Sequence, residues 1–138
     1  RRNVVLADEN DLLNYGYTVL RAATARAVVA SGLHPTIGLF HSNRSNAFAL
    51  ADDLMEPFRP LVDCKVRSIV RRRGTKVDTE AKQALARLIA TDLPLGSGVT
   101  PVSLALMKLA TSLGQSFETG KLRLVLPQSP EPLTFLDL

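Results

Sequence analysis

The sequence predicts an all-α fold: a compact multi-helix lobe with at most one short strand near the C-terminus. Three observations carry this. Apolar residues recur at steps of three and four over most of the chain. The intervals between those runs are punctuated by capping residues, Gly and Pro. Only Leu122 to Leu126 reads as a strand.

Asp8 and Asn10 are good caps before the first periodic segment. From there Leu13, Tyr17, Leu20, Ala23, Ala27 and Ala30 share a face, so a helix is expected over roughly residues 9 to 31, ended by Gly32. Its alanines (Ala22, Ala23, Ala25, Ala27, Ala30) permit close packing against another helix. Pro35 and Gly38 mark a loop. A second helix begins near Ser45 or Asn46 and runs to about Glu56. Pro57 and Pro60 then impose a kink or break before a helix that continues to about Arg72 and closes at Gly74. Val77-Asp78-Thr79 caps a third helix with Ala84, Leu85, Leu88 and Ile89 as its apolar face. Residues 92 to 100 read as an ordered loop or a mobile linker. Pro101 suits the first turn of a last helix, whose apolar side is Leu106, Leu109 and Leu113. A Pro-rich end follows the expected strand, and no internal repeat or low-complexity tract is visible.

The chain of 138 residues has the size of one domain, and 46% hydrophobic residues suffice for a core. No apolar run approaches the roughly 20 residues that span a bilayer, and the N-terminal apolar stretch is too short for a secretory signal. A single cysteine, Cys64, excludes an internal disulfide framework and fits a reducing compartment. Cys64 itself reads as a buried, inert thiol, with no partner histidine close in sequence. There is no initiator Met, as expected for a fragment of a longer chain. The net charge of +4 and pI of about 9.6 favour an acidic partner, nucleic acid being the commonest, although a mildly basic soluble protein has the same balance. Aromatics at 5% with no Trp disfavour a single-strand stacking platform.

Chemistry concentrates between His41 and Arg59. Asp53 and Glu56 are three apart and share a helix face, with Cβ atoms about 5–6 Å apart. A histidine on the preceding loop, His41, can reach the same point. One imidazole with carboxylates suits Mn²⁺ or Mg²⁺ better than a closed zinc site. The same spacing also describes an ordinary solvated helix face. Asp52, about 100° round the helix from Asp53, reads as a supporting or surface group. Lys65, Arg67, Arg71, Arg72, Arg73 and Lys76 fall on or just after the helix that follows Pro60, and Arg44 and Arg59 flank the acidic pair. They read either as a phosphate-contacting stripe or as cations meeting the negative end of a helix dipole. His34 reads as a surface-loop residue, Tyr17 as core packing, and Tyr15 as packing or a DNA-facing ring.

The strings themselves are familiar. Asn10-Asp11-Leu12-Leu13-Asn14-Tyr15-Gly16-Tyr17, Gly38-Leu39-Phe40-His41-Ser42-Asn43-Arg44-Ser45-Asn46-Ala47-Phe48 and, most clearly, Leu50-Ala51-Asp52-Asp53-Leu54-Met55-Glu56-Pro57-Phe58-Arg59-Pro60-Leu61-Val62-Asp63 resemble motifs of the CRISPR-associated integrase family. That family supplies the larger of the two spacer-acquisition proteins. Pro57 after the acidic residue is similar to members from type II systems. The resemblance runs from about Asn10 to the last helix. It implies a metal-dependent DNA endonuclease and integrase of prokaryotic antiviral defence, working in the cytoplasm. Such an enzyme joins the 3′-hydroxyl of captured DNA to a phosphodiester in the CRISPR array. By motif, the resemblance places the ligands of a catalytic Mg²⁺ or Mn²⁺ at His41, Asp53 and Glu56. Arg44, Arg59, Lys65, Arg67, Arg71 and Arg72 would contact the DNA. The implied partners are double-stranded DNA with exposed 3′ ends, the small companion adaptation protein and a second copy of the chain, and no membrane. Residues 1–138 would then be a single helical domain of the catalytic, C-terminal type. The family's β-rich domain, and a further glutamate on a helix upstream of the Asn-Tyr-Gly-Tyr motif, would lie outside them. The sequence departs from many relatives at Phe40, where a second histidine is common, and at Ser42 and Ser45, where basic or aromatic residues are common. The alternative is a non-catalytic helical module that binds DNA or protein.

Overall fold

The computed structural model describes residues 2–33, 49–96 and 98–127. Within them the order is α1 (Arg2–Ala30), α2 (Ala49–Met55), a 3-10 turn (Glu56–Phe58), α3 (Arg59–Arg73), α4 (Thr79–Ala86), a second 3-10 turn (Arg87–Ala90), strands β1 (Asp92–Leu95) and β2 (Gly98–Pro101), and α5 (Val102–Thr119). The fold is predominantly α.

Helix α1 touches each of the other four helices. This central position explains why its buried face differs from the expected stripe. Leu12, Gly16, Leu20, Ala23, Ala27 and Val28 are buried, Leu13 and Tyr17 are half-buried, and Ala30 is exposed. The helix also begins seven residues earlier than expected. Asp8 and Asn10 lie inside it, because nothing between Arg2 and Asp8 breaks a helix. Gly16 lets α1 pack tightly on α3: a Cβ built there would stand 2.6 Å from Val62 Cγ1. The remaining core is filled by Leu50, Phe58, Ile69, Leu85, Leu88, Leu106, Leu109 and Leu113, all 2% exposed or less.

The proline pair acts as expected. Pro57 sits in the 3-10 turn, and Pro60 in the first turn of α3, where a missing N–H costs nothing. Gly74 ends α3 with φ 80°. Asp78 caps α4, its carboxylate accepting from the Ala81 amide at 2.9 Å. The expected start of the second helix near Ser45 or Asn46, and the loop at Pro35 and Gly38, lie outside the described residues.

The strand content is relocated. Residues 92–100, expected to be an ordered loop or a mobile linker, form with Pro101, expected in the first turn of the last helix, an antiparallel hairpin in which Asp92 pairs with Pro101 and Leu95 with Gly98. Leu93 and Leu95 point inward, and Gly96 takes the positive φ (62°) that a tight turn needs. The Val102 amide donates to the Thr91 carbonyl at 2.9 Å and closes the base. By contrast, Leu122–Leu126 is not a strand. Its amides go to α5: Arg123 N–H donates to Ser116 Oγ at 2.9 Å and Val125 N–H to Ser112 Oγ at 3.0 Å. The match is geometric. Four residues of helix advance about 6 Å, nearly the same as two residues of extended chain. Two serines one turn apart therefore serve alternate amides.

Candidate active-site cleft

Four residues of α1 spaced three and four apart, Asn14, Tyr17, Thr18 and Arg21, share one face. They line an open cleft of about 560 Å³ whose other wall is Asp52, Met55, Glu56 and Arg59. Helix α2 is tied to α1 by a two-pronged ion pair: Arg21 Nε and Nη2 donate to the two carboxylate oxygens of Asp52 at 2.7 and 3.0 Å. Both groups are partly exposed, so the fork contributes geometry more than stability.

Tyr17 organises the other wall. Its hydroxyl donates to Asp63 Oδ1, and the Arg59 guanidinium lies over its ring, 4.8 Å from the centroid. Partial burial, then the hydrogen bond and charge of Asp63, push the Tyr17 phenol up to about 12. The phenol therefore stays protonated at neutral pH and remains a donor. Arg59 Nε also stands 3.4 Å from Glu56 Oε1, a loose pair between exposed side chains. Glu56 can thus offer its carboxylate to a ligand in the cleft.

Of the three expected metal ligands, Asp53 is half-buried on α2, Glu56 lies at the cleft wall, and His41 is outside the described residues. The cleft is lined by Asp52 and Glu56, while Asp53 is not among its lining residues. Among the described residues no group of three or more His, Cys, Asp or Glu side chains is placed to hold a metal ion. Asp53 and Glu56 are oxygen donors and so suit a hard cation such as Mg²⁺ or Mn²⁺. Asp52, with both oxygens engaged by Arg21, suits it less.

The basic residues separate. At 100° per residue, Lys65 and Arg72 lie about 20° apart on α3, while Arg67 is turned about 140–160° and Arg71 about 100–120° away from them. Arg67 and Arg71 are exposed, and Lys65 is buried at 6% exposure. Arg73 is held by Asp78 at 2.8 Å and Glu80 at 3.1 Å. Arg44 is outside the described residues, as is His34. Cys64 is half-buried rather than buried. Tyr15 carries Lys82 over its ring at 5.7 Å.

Sequence reasoning missed Arg21 and assigned Tyr17 to packing alone. The signal was available for both: a polar face of Asn14, Tyr17, Thr18 and Arg21 runs along an otherwise alanine-rich helix. Only the fold shows that Asp52 and Asp63 face it.

Against known proteins, the family model described as "CRISPR associated protein Cas1" matches residues 5–91, from α1 through the second 3-10 turn. The chain belongs to the Cas1 family. It is 54% identical over 69 residues to the CRISPR-associated endonuclease Cas1 of Neisseria meningitidis, half of this chain and 23% of that protein. A Cas1 endonuclease of Saccharolobus solfataricus is 45% identical over 69 residues, 49% of this chain and 20% of the relative. A longer match, 109 residues at 29% identity, covers 78% of this chain and 37% of a Pyrobaculum aerophilum Cas1 endonuclease. The chain therefore spans about a fifth to two fifths of these relatives' length. No described helix is long and apolar enough to cross a membrane.

Proposed function

We propose that this chain is the helical, C-terminal catalytic part of a CRISPR adaptation endonuclease and integrase, similar to those of type II systems, acting in the prokaryotic cytoplasm in antiviral defence. The observation that carries the proposal is the cleft itself. On a segment inside the family match, it sets a loosely held carboxylate, Glu56, beside a guanidinium, Arg59, that is presented on an aromatic ring.

Asp53 and Glu56, with His41, would hold Mg²⁺ or Mn²⁺. When bound, the ion would polarise a phosphoryl oxygen and stabilise charge on the leaving oxygen. The chain's own residues do the rest. Arg59 supplies a fixed cation to the phosphodiester. Tyr17, protonated and hydrogen-bonded to Asp63, keeps Arg59 in place and is neither base nor nucleophile. The Arg21–Asp52 fork holds α2, and with it the acidic pair, against α1. The reaction is attack of a DNA 3′-hydroxyl on phosphorus, with cleavage of the bond to the leaving 3′-oxygen. The partners are duplex DNA with exposed 3′ ends, a second copy of the chain and the small companion adaptation protein.

The test is a gel shift with duplex DNA bearing exposed 3′ ends, read over a salt series. Wild type binds, and Arg59→Gln binds more weakly, with the slope of log affinity against log salt reduced by about 0.9. No binding at low salt would refute the reading. DNA binding with no divalent-ion site would instead favour the alternative, a non-catalytic helical module.

A further inference from the structure

The outward side of α3 carries a row of side chains that begins in the Glu56 cleft and runs out of it. Arg59, Asp63, Arg67 and Arg71 stand four residues apart. Each step of four advances about 6 Å along the helix and about 40° around it, so the row forms one ridge inclined by roughly 26° to the axis. Arg59 is the end that lines the cleft. Arg67 and Arg71 follow at about 12 and 18 Å from it along the helix. All three arginines are exposed.

The ridge is more cationic than a solvated helix face requires. Asp63 is the only acidic residue of α3, and the Tyr17 hydroxyl draws its carboxylate onto α1. Arg67 and Arg71 enter no ion pair among the described residues, whereas Arg73 is held by Asp78 and Glu80. The negative end of the helix dipole accounts for Arg71, which lies in the last turn. It does not account for Arg67, one turn further in, where that field has fallen off. Guanidiniums set at multiples of about 6 Å, in line with a phosphodiester cleft, fit a polymer of regularly spaced charge. About 18 Å of helix matches about five base pairs of duplex at about 3.4 Å each. An acidic protein surface has no such repeat, and the arginine fork matches the two non-bridging oxygens of a backbone phosphate.

We propose that the Arg59–Arg67–Arg71 ridge is the track along which the backbone of duplex DNA leaves the Glu56 cleft. The proposal rests on the nucleic-acid reading above, and what it adds is the path. The outward side of α3 carries the duplex, while Lys65 and Arg72, turned at least about 100° away from Arg67 and Arg71, take no part.

The test is binding of a duplex with exposed 3′ ends to the 138-residue chain, without divalent ions, over a salt series. Arg67→Gln and Arg71→Gln should each reduce the slope of log affinity against log salt by about 0.9, and the double variant by about 1.8. Lys108→Gln on α5 and Arg72→Gln off the ridge remove the same charge from exposed positions and should leave the slope unchanged. Arg67 and Arg71 are exposed, so their variants should keep the wild-type urea midpoint, and weaker binding is then not unfolding. A slope indifferent to Arg67 and Arg71 but lowered by Arg59→Gln overturns the track and leaves the cleft reading intact. A slope lowered by Arg67→Gln and Arg71→Gln but not by Arg59→Gln refutes the cleft reading and the origin of the track in it. An equal loss in Lys108→Gln overturns the track in favour of net charge alone. No binding by wild type at low salt overturns both readings.

Discussion

Gly16 offers the sharpest test of the packing. Gly16→Ala adds one carbon to α1 at its contact with α3. The new Cβ would meet Val62 Cγ1 at 2.6 Å and Leu85 Cδ2 at 3.4 Å. Ordinary contacts begin near 3.4 Å, so Val62 must yield by about 0.8 Å (3.4 less 2.6). Val62 is fully buried and β-branched, hence stiff at χ1. Overpacking of this kind costs about 1–3 kcal/mol. Alanine returns about 1 kcal/mol of helix propensity. The net expectation is a loss of up to about 2 kcal/mol, which moves a urea midpoint down by up to about 1 M at a typical slope. Val62→Ala alone should cost about 2 kcal/mol for two buried methyls and their cavity. Combined, the two changes should cost less than their sum by at least about 1 kcal/mol, because the methyl introduced by Gly16→Ala enters the space that Val62→Ala vacates. Equilibrium urea unfolding of the four proteins measures this. A Gly16→Ala protein more stable than wild type, or a strictly additive cycle, would refute the close approach.

Three further outcomes follow from the side-chain environments. Lys65→Met should stabilise the fold, since desolvation holds the Lys65 amine near 8 rather than 10.5. In wild type the unfolded chain binds a proton there that the fold does not, so stability should rise between about pH 8 and 10.5, and this rise should vanish in Lys65→Met. With only two tyrosines in the chain, spectrophotometric titration should show one ionising near 12, and Asp63→Asn should lower that value; an unchanged titration would contradict the Tyr17–Asp63 bond. Ser112→Ala and Ser116→Ala should each cost about 0.5–1.5 kcal/mol and speed hydrogen exchange at Val125 and Arg123 respectively, an effect absent if the C-terminal segment is held elsewhere.

How far the fold could be read from the sequence depends on whether the cause was local. The break at Pro57, the stop at Gly74 and the cap at Asp78 are backbone chemistry, and each stands where it was expected. The hairpin was missed because four-residue strands containing Pro94 and three nearby glycines or serines carry weak strand propensity; Leu93 and Leu95 are buried by tertiary packing. The Leu122–Leu126 segment has strand-like residues but finds serine hydroxyls of α5 instead of a neighbouring strand. The candidate site divides in the same way. Glu56 was legible from its spacing of three from Asp53, and Arg59 because it flanks that pair on the same segment. The Arg21–Asp52 fork joins residues 31 apart, and the Tyr17–Asp63 bond residues 46 apart. The run of cations on α3 looked like one stripe; helix geometry puts Lys65 and Arg72 on one side and turns Arg67 and Arg71 at least about 100° away from them.

The central claim is that the acidic pair beside Arg59 serves a divalent ion. Calorimetric titration of Mn²⁺ into wild type, Asp53→Asn, Glu56→Gln, His41→Ala and the control Glu118→Gln, an exposed carboxylate on α5, tests it most directly. One saturable site is expected in wild type and in Glu118→Gln, weakened about tenfold or more in the other three, each of which removes a donor. Saturable binding that survives Asp53→Asn and Glu56→Gln undiminished, or no binding in wild type, would contradict it.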